Sequence, residues 1–322
     1  MTLARLAVPT LLAFAASVAL AQSGSRLADP APAPPSRWQA ERDAMDGALR
    51  AAGLAANEPR SQWLAGRLGG DDPVAQVANF ARARQAAPGD KLYLSSLAVA
   101  CLAPVQPLPD ECQAIDRLAD WATRDADNGV PSLLMAERAR RRNNVASEVA
   151  FLEEAAQRPR FDDYSSAAAV AIWEAVRTLP GGDPAAKAEL AASYGLLREP
   201  YAVSQLAGLC RDPARTADNV RAACYAAGNA VAQRGATWAL RIAGARLAER
   251  SAMPADHAKA QAQLADVQRR ALDCAEAGNG VAAALESADA GVRAKAVAQW
   301  EARLAQDARV GEAAACVAPG KG

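Results

Sequence analysis

The chain opens on one uninterrupted apolar run that nothing later matches. No charge occurs from Leu6 to Ala21, with Arg5 just ahead and Ala19-Leu20-Ala21 closing the run as a small-x-small pattern. This predicts a cleavable export signal over residues 1–21, short for a stop-transfer helix. An uncleaved anchor is the alternative. A lipid anchor is not indicated, because no Cys lies near residue 21. Residues 22–36 (QSGSRLADPAPAPPS) are too poor in large apolar side chains to fold and read as a tether.

From there on, apolar and polar residues mix in helix-forming stretches fenced by Gly, Pro, Asp or Asn. Ser36 opens a helix to about Ala52, and a second runs from Pro59 to Leu68. Asp72-Pro73 has the form of an N-cap and first-turn Pro, opening a helix to Ala87. Asp90 caps the next, to Leu102, and Asp110 another, to about Ala126. Helices follow from Pro131 to Arg142, Val145 to Gln157, and Asp162 or Asp163 to Leu179. The best internal break is Pro180-Gly181-Gly182-Asp183-Pro184, dividing an N-terminal lobe (37–179) from a C-terminal one (184–318). The second lobe predicts helices at 184–197, 200–210, 216–233, 237–250, 254–276 and 290–307, with short ones at 281–287 and 311–316. No stretch alternates as a strand does.

Composition agrees. Of 322 residues, 51% are hydrophobic types, and 86 are Ala. Only Ile115, Ile172 and Ile242 supply isoleucine. Ala-rich, Ile-poor sequence disfavours sheet and favours helix. Ala buries little area but lets helices approach closely, so stacked hairpins suit it better than one thick core. The Ala and Arg bias also fits genomic base composition with no functional content. The expected fold is all-α: stacked antiparallel helical hairpins with disulfides.

The stretch 58–157 adds a resemblance. Phe80, Ala83 and Pro88 are spaced like the second helix and closing Pro of a tetratricopeptide repeat. Leu94, Leu97 and Ala98 match the first helix of the next, and Met135-Ala136 and Phe151 recur at comparable intervals. Cys101 and Gln76 depart from the pattern, the loop at 103–109 is long for a regular unit, and nothing after 160 keeps the register. The stretch thus resembles three tetratricopeptide-like helix pairs. The resemblance implies a helical solenoid that binds partners on a concave face, and no chemistry.

Charge excludes one partner class. Lys+Arg and Asp+Glu both number 36, and removing residues 1–21 takes away only Arg5. A nucleic-acid binder would carry a basic domain or stripe. Beyond the export signal no long apolar run follows, so no membrane span is expected in the mature chain.

The six cysteines, in an exported chain, predict three bridges. Cys101 ends one helical pattern and Cys112 opens the next, so adjoining helix ends bring them together. Cys210 and Cys224 flank a turn containing Asp212-Pro213, which leaves Cys274 with Cys316. No Cys-x-x-Cys is present, and with His257 as the single His a zinc site is not expected.

Candidate chemistry is sparse. His257 sits at the start of a polar helix and reads as exposed. Asp71-Asp72, Glu153-Glu154 and Asp162-Asp163 are paired carboxylates at helix starts or turns, where they favour the helix dipole. Arg138, Arg140, Arg141 and Arg142 form the dense basic cluster. They are the candidate partner-binding residues, or simply cations in a last helical turn. Trp38, Trp63, Trp121, Trp173, Trp238 and Trp300 read as anchors plugging Ala-rich helix pairs. No phosphate loop, calcium loop or nucleotide motif occurs, so no catalytic, cofactor or metal residue is assigned.

The sequence therefore points to an exported interaction or scaffold module with another envelope protein as partner. The alternatives are an enzyme acting on cell-wall glycans, with Glu153, Glu154, Asp162 or Asp163 as acid in a pocket beside Trp173 or Tyr164, and a structural or stress-related envelope protein.

Overall fold

A computed structural model describes residues 39–55, 57–68, 72–102, 109–196, 206, 208–211 and 217–316. The expected signal (1–21), the tether (22–36), Trp38 and most of the expected 200–210 helix lie outside them.

Fifteen helices make up the described chain: α1 (Gln39–Ala55), α2 (Pro59–Leu68), α3 (Pro73–Ala86), α4 (Lys91–Ala100), α5 (Asp110–Gln113), α6 (Arg117–Arg124), α7 (Val130–Arg141), α8 (Val145–Gln157), α9 (Ser165–Val176), α10 (Pro184–Leu196), α11 (Asp218–Arg234), α12 (Trp238–Ser251), α13 (His257–Leu285), α14 (Ala290–Val310) and α15 (Glu312–Ala315). No strand occurs among the described residues. No described helix is long and apolar enough to cross a membrane.

Several starts are fixed by aspartate. The Asp72 carboxylate accepts from Val74 N and Ala75 N, and Asp90 from Leu92 N and Tyr93 N. Each satisfies amides that a helix start leaves without intrahelical partners. Two expected elements differ. The single helix over 110–126 is two, because Asp116 caps a new start at Leu118 and Ala119 and is itself gripped by Arg138. Conversely, 254–276 and 281–287 are one helix, α13. Gly278 and Gly280 cost it about 1 kcal/mol each relative to Ala, and packing on both α12 and α14 outweighs that.

Most helices pack in chain order: α1 on α2, α2 on α3, α3 on α4, α4 on α6, α6 on α7, α7 on α8. From α8 the next neighbour is α11, then α12, α13 and α14. The skipped hairpin α9–α10 turns back, so that α10 lies against both α1 and α14. The packed pairs therefore close into a circuit. An open solenoid touches only sequence neighbours, and the contacts of α8 with α11 and of α10 with α1 and α14 exceed that pattern.

Asp183 holds the seam. Its amide donates to Glu41 of α1 (3.0 Å), its Oδ1 caps α10, and its Oδ2 receives Arg293 of α14 (2.8 Å). Beneath it a first core joins Trp63, Phe80 and Leu97 to Ile172, Trp173 and Leu190, and reaches Leu285 and Val297. A second joins Trp121, Leu134, Leu152 and Phe161 to Leu209, Val231 and Leu247. Both draw residues from either side of 180–184, so the two expected lobes share their cores.

Between α8 and α9 runs an extended strap. Arg160 O accepts from Gly129 N (2.9 Å), and Phe161 O from Ala236 N (2.8 Å). It thus ties the α6–α7 turn to the α11–α12 turn, with the Phe161 ring fully buried. On the other side of the second turn, Ala236 O accepts from Ala313 N (2.9 Å). The cysteines pair as 101–112, 210–224 and 274–316, with Cα separations of 5.4, 6.6 and 5.8 Å. These are the expected pairs, and the last fastens α15 to α13.

Candidate functional site

Two places gather polar chemistry: a buried acid network at the strap and an open groove between α11, α12 and α13.

The network is built on Asp125, whose side chain has no solvent exposure. It stands at the end of α6, so α4, the strap and the start of α9 can all reach it. Lys91 Nζ donates to Oδ1 (2.7 Å), as does Arg160. Trp121 Nε1 (3.2 Å), Asn128 Nδ2 (2.9 Å) and the Tyr164 hydroxyl (2.6 Å) donate to Oδ2. Burial alone would raise this carboxyl. The donors from Lys91, Tyr164 and Asn128 and the charge of Arg160 outweigh it and hold Asp125 down to about 2. Asn128 also pairs with the backbone of Asp162 in both directions (2.7 and 3.0 Å). Tyr164 takes a left-handed φ of 62°, held there by the Asp125 contact and by Asp162 Oδ1 on its own amide. Burial raises its hydroxyl, and the bond to Asp125 adds to that.

Asp163 is the exception in this well-satisfied site. Its Oδ1 accepts from Ser165 N (3.1 Å) and Ser165 Oγ (2.7 Å), while Oδ2 is shielded from solvent and has no partner. The residue as a whole is half-buried, but Oδ2 is enclosed, and burial pushes the carboxyl up to about 6. For an acid raised on folding, stabilisation is full below the unfolded value near 3.8 and is lost as pH rises through 6. Asp163→Asn keeps the acceptor for Ser165 and removes the buried charge. It is expected to stabilise the protein by on the order of 1–2 kcal/mol at pH 7.5 and by almost nothing at pH 4. Urea unfolding at the two pH values checks this; equal effects at both would refute it.

The groove has a volume of about 560 Å³. Trp238 of α12 forms its floor, Tyr225, Asn229 and Gln233 of α11 one wall, and Lys259, Gln263, Asp266 and Arg270 of α13 the other. The spacing from 259 to 270 places these side chains on one helix face. Arg241 and Arg270 both lie over the Trp238 ring, at 5.4 and 6.0 Å from its centre. Arg241 lines the groove, its Nε donates to Gly235 O (2.8 Å), and its guanidinium has no carboxylate partner among the described residues. Burial, and then the charge of Arg270, lower Arg241. A second, smaller cavity of about 410 Å³ lies between α9 and α14 beside Trp173 and Glu301.

No family model, curated protein or solved structure matches the chain.

Arg138 is spent on Asp116 in a two-pronged contact (2.9 and 2.6 Å). Arg140 and Arg141 clamp the buried Glu137 (2.7 and 3.0 Å). Arg142 is exposed at the end of α7. Glu153 is exposed, and Glu154 pairs with Arg158. Neither these two nor Asp162 and Asp163 line either cavity. Trp173 Nε1 donates to Glu301 (2.8 Å), and its ring meets Trp300 edge-on at 4.8 Å. Trp63, Trp121, Trp173 and Trp238 are buried, while Trp300 is half-buried. His257 begins α13, exposed to solvent.

The groove cations leave little trace in the sequence. Arg241 and Arg270 stand far apart in the chain. The available signal was local: Trp238 and Arg241 at i,i+3, and the polar stripe Lys259, Gln263, Asp266, Arg270 at helical spacing.

Proposed function

We propose that the protein is an exported binding module whose α11–α12–α13 groove engages another envelope protein. One observation carries this reading. In the groove the Arg241 guanidinium and the Lys259 ammonium find no carboxylate within the described chain, whereas the donors around Asp125 are taken up by its carboxylate. Polar groups that converge on an open cavity without internal partners are what a ligand site requires. The signal-like residues 1–21 and the three disulfides favour an oxidising compartment. The consecutive pairs α2–α3, α4–α6 and α7–α8 favour the tetratricopeptide-like reading of 58–157. For an envelope-glycan enzyme, Asp162 and Asp163 are the candidate acids with raised carboxyls, but such an acid must face its substrate, and neither lines the groove or the cavity beside Trp173.

Affinity capture from an envelope extract tests the reading, with the chain from residue 22 onward as bait beside its Gln263→Trp variant, which fills the groove. A protein retained by the first and lost with the second is the expected result. Identical retention by both, or nothing above background, would count against it.

A further inference from the structure

We infer that the groove takes an extended acidic peptide segment of the partner, with one carboxylate gripped by Arg241 and Arg270 and a second reaching Lys259. This rests on the binding reading above and names its chemistry. Arg241 is prepared for such a role. Its Nε is tied to Gly235 O and its Cζ lies over the Trp238 ring, so less freedom remains to be lost when its outer nitrogens bind. Arg270 stands over the same ring, and its one ion pair among the described residues is the long contact to Asp266 Oδ2 at 3.7 Å, while the other oxygen of Asp266 is held by Arg269 at 2.6 Å. Glu312 accepts from the Trp238 backbone amide (3.2 Å) and forms no ion pair with Arg241 or Arg270 among the described residues. A carboxylate matches the flat fork of a guanidinium in a two-pronged contact.

The second contact follows from helix geometry. Lys259 and Arg270 share a face of α13 three turns apart, roughly 16 Å at 1.5 Å per residue. An extended chain covers that distance in about five residues at 3.3 Å each. Acids four residues apart in a strand point the same way and stand about 13 Å apart along the backbone, and the flexible Glu, Lys and Arg side chains cover the remaining distance, so both can be engaged at once. Between the two cationic ends lie Asn229, Gln233 and Gln263, whose amides can pair with peptide N–H and C=O groups. Asp256 and Asp266 also line the groove. They limit its positive excess, which suits singly charged carboxylates better than a dianionic phosphate.

The test uses the mature chain and a capped heptapeptide, Gly-Glu-Gly-Ala-Gly-Glu-Gly, with its double Glu-to-Gln analogue and free glutamate as controls. Calorimetric titration at low ionic strength should give binding at least tenfold tighter for the Glu peptide than for either control, weakening with salt. Arg241→Gln should lose at least tenfold, and Lys259→Gln severalfold. Arg270→Gln, at an exposed position, should weaken binding even if Arg241→Gln proves poorly folded by its melting curve. Equal binding of the Gln peptide, free glutamate as tight as the peptide, or full binding by a folded Arg241→Gln or Arg270→Gln protein would overturn the inference. If Gln263→Trp abolishes partner capture while the Glu peptide does not bind, the acidic-peptide assignment fails and the binding module stands.

Discussion

Asp125→Ala is expected to destabilise the protein by about 3–5 kcal/mol, the cost of removing one partner from a buried charge network. Asp125 is the acceptor on which Lys91, Trp121, Asn128, Arg160 and Tyr164 converge. Without it the Trp121 indole N–H lies buried with no acceptor, and Arg160 and Lys91 face each other across the gap. Tyr164 also loses the hydroxyl contact that helps to hold its left-handed backbone. The loss should therefore exceed that of one hydrogen bond, which is about 1 kcal/mol. The pH dependence has a definite sign. A carboxyl held down to about 2 contributes stability above its unfolded value near 3.8, and that contribution fades as pH falls through 2. The gap between parent and variant, measured by urea unfolding, should be full at pH 7 and narrow toward pH 2. A loss below 1 kcal/mol at pH 7 would show that the network is not what holds the strap.

The second large effect is expected where α11 and α12 cross. A Cβ added at Gly228 would stand 2.5 Å from Ala248 N and 2.8 Å from Gly244 O, and one added at Gly244 would stand 2.6 Å from Ala232 N. These are backbone atoms, which cannot rotate aside. Ala ordinarily gains about 1 kcal/mol over Gly within a helix. Here overpacking prevails, and each of Gly228→Ala and Gly244→Ala should cost about 1–3 kcal/mol net. The two glycines line one gap, so the double variant should cost less than the sum, because helices already forced apart have room for the second methyl. Thermal or chemical unfolding of the four proteins measures this directly. Stabilisation by either single substitution, or strict additivity, would contradict the close crossing.

These two sites show which parts of the molecule were legible in the sequence. Aspartate caps are local, and Asp72 and Asp90 announce their helices plainly. Asp116 is hidden, because the continuous helical pattern around it masks a start stabilised from Arg138, 22 residues away. Cysteine pairing was readable because each pair flanks a turn or closes the chain. The basic cluster was visible as charge, but not that Asp116 and Glu137 neutralise most of it. The strap was not readable at all. Phe161 carries no periodic signal, and its partners at Gly129 and Ala236 are set by the meeting of four helices. The groove escaped for the same reason: its floor and two walls come from three helices, and only the polar face of α13 is continuous in sequence. The contact of α10 with α1 is likewise a matter of tertiary choice between equally apolar Ala-rich faces.

The Asp183 seam also constrains how such a chain can change its size. Stacked helix pairs left open at both ends can gain or lose a unit by duplication or deletion, since a new unit needs only one neighbour to dock on. Here α14 must arrive opposite α10 and α1 at the right angle for Arg293 to meet Asp183 while the Asp183 amide meets Glu41. One hairpin more or fewer would carry that end past its mark or leave it short. The number of helices is thereby fixed by closure, and room for variation is confined to the turns between them.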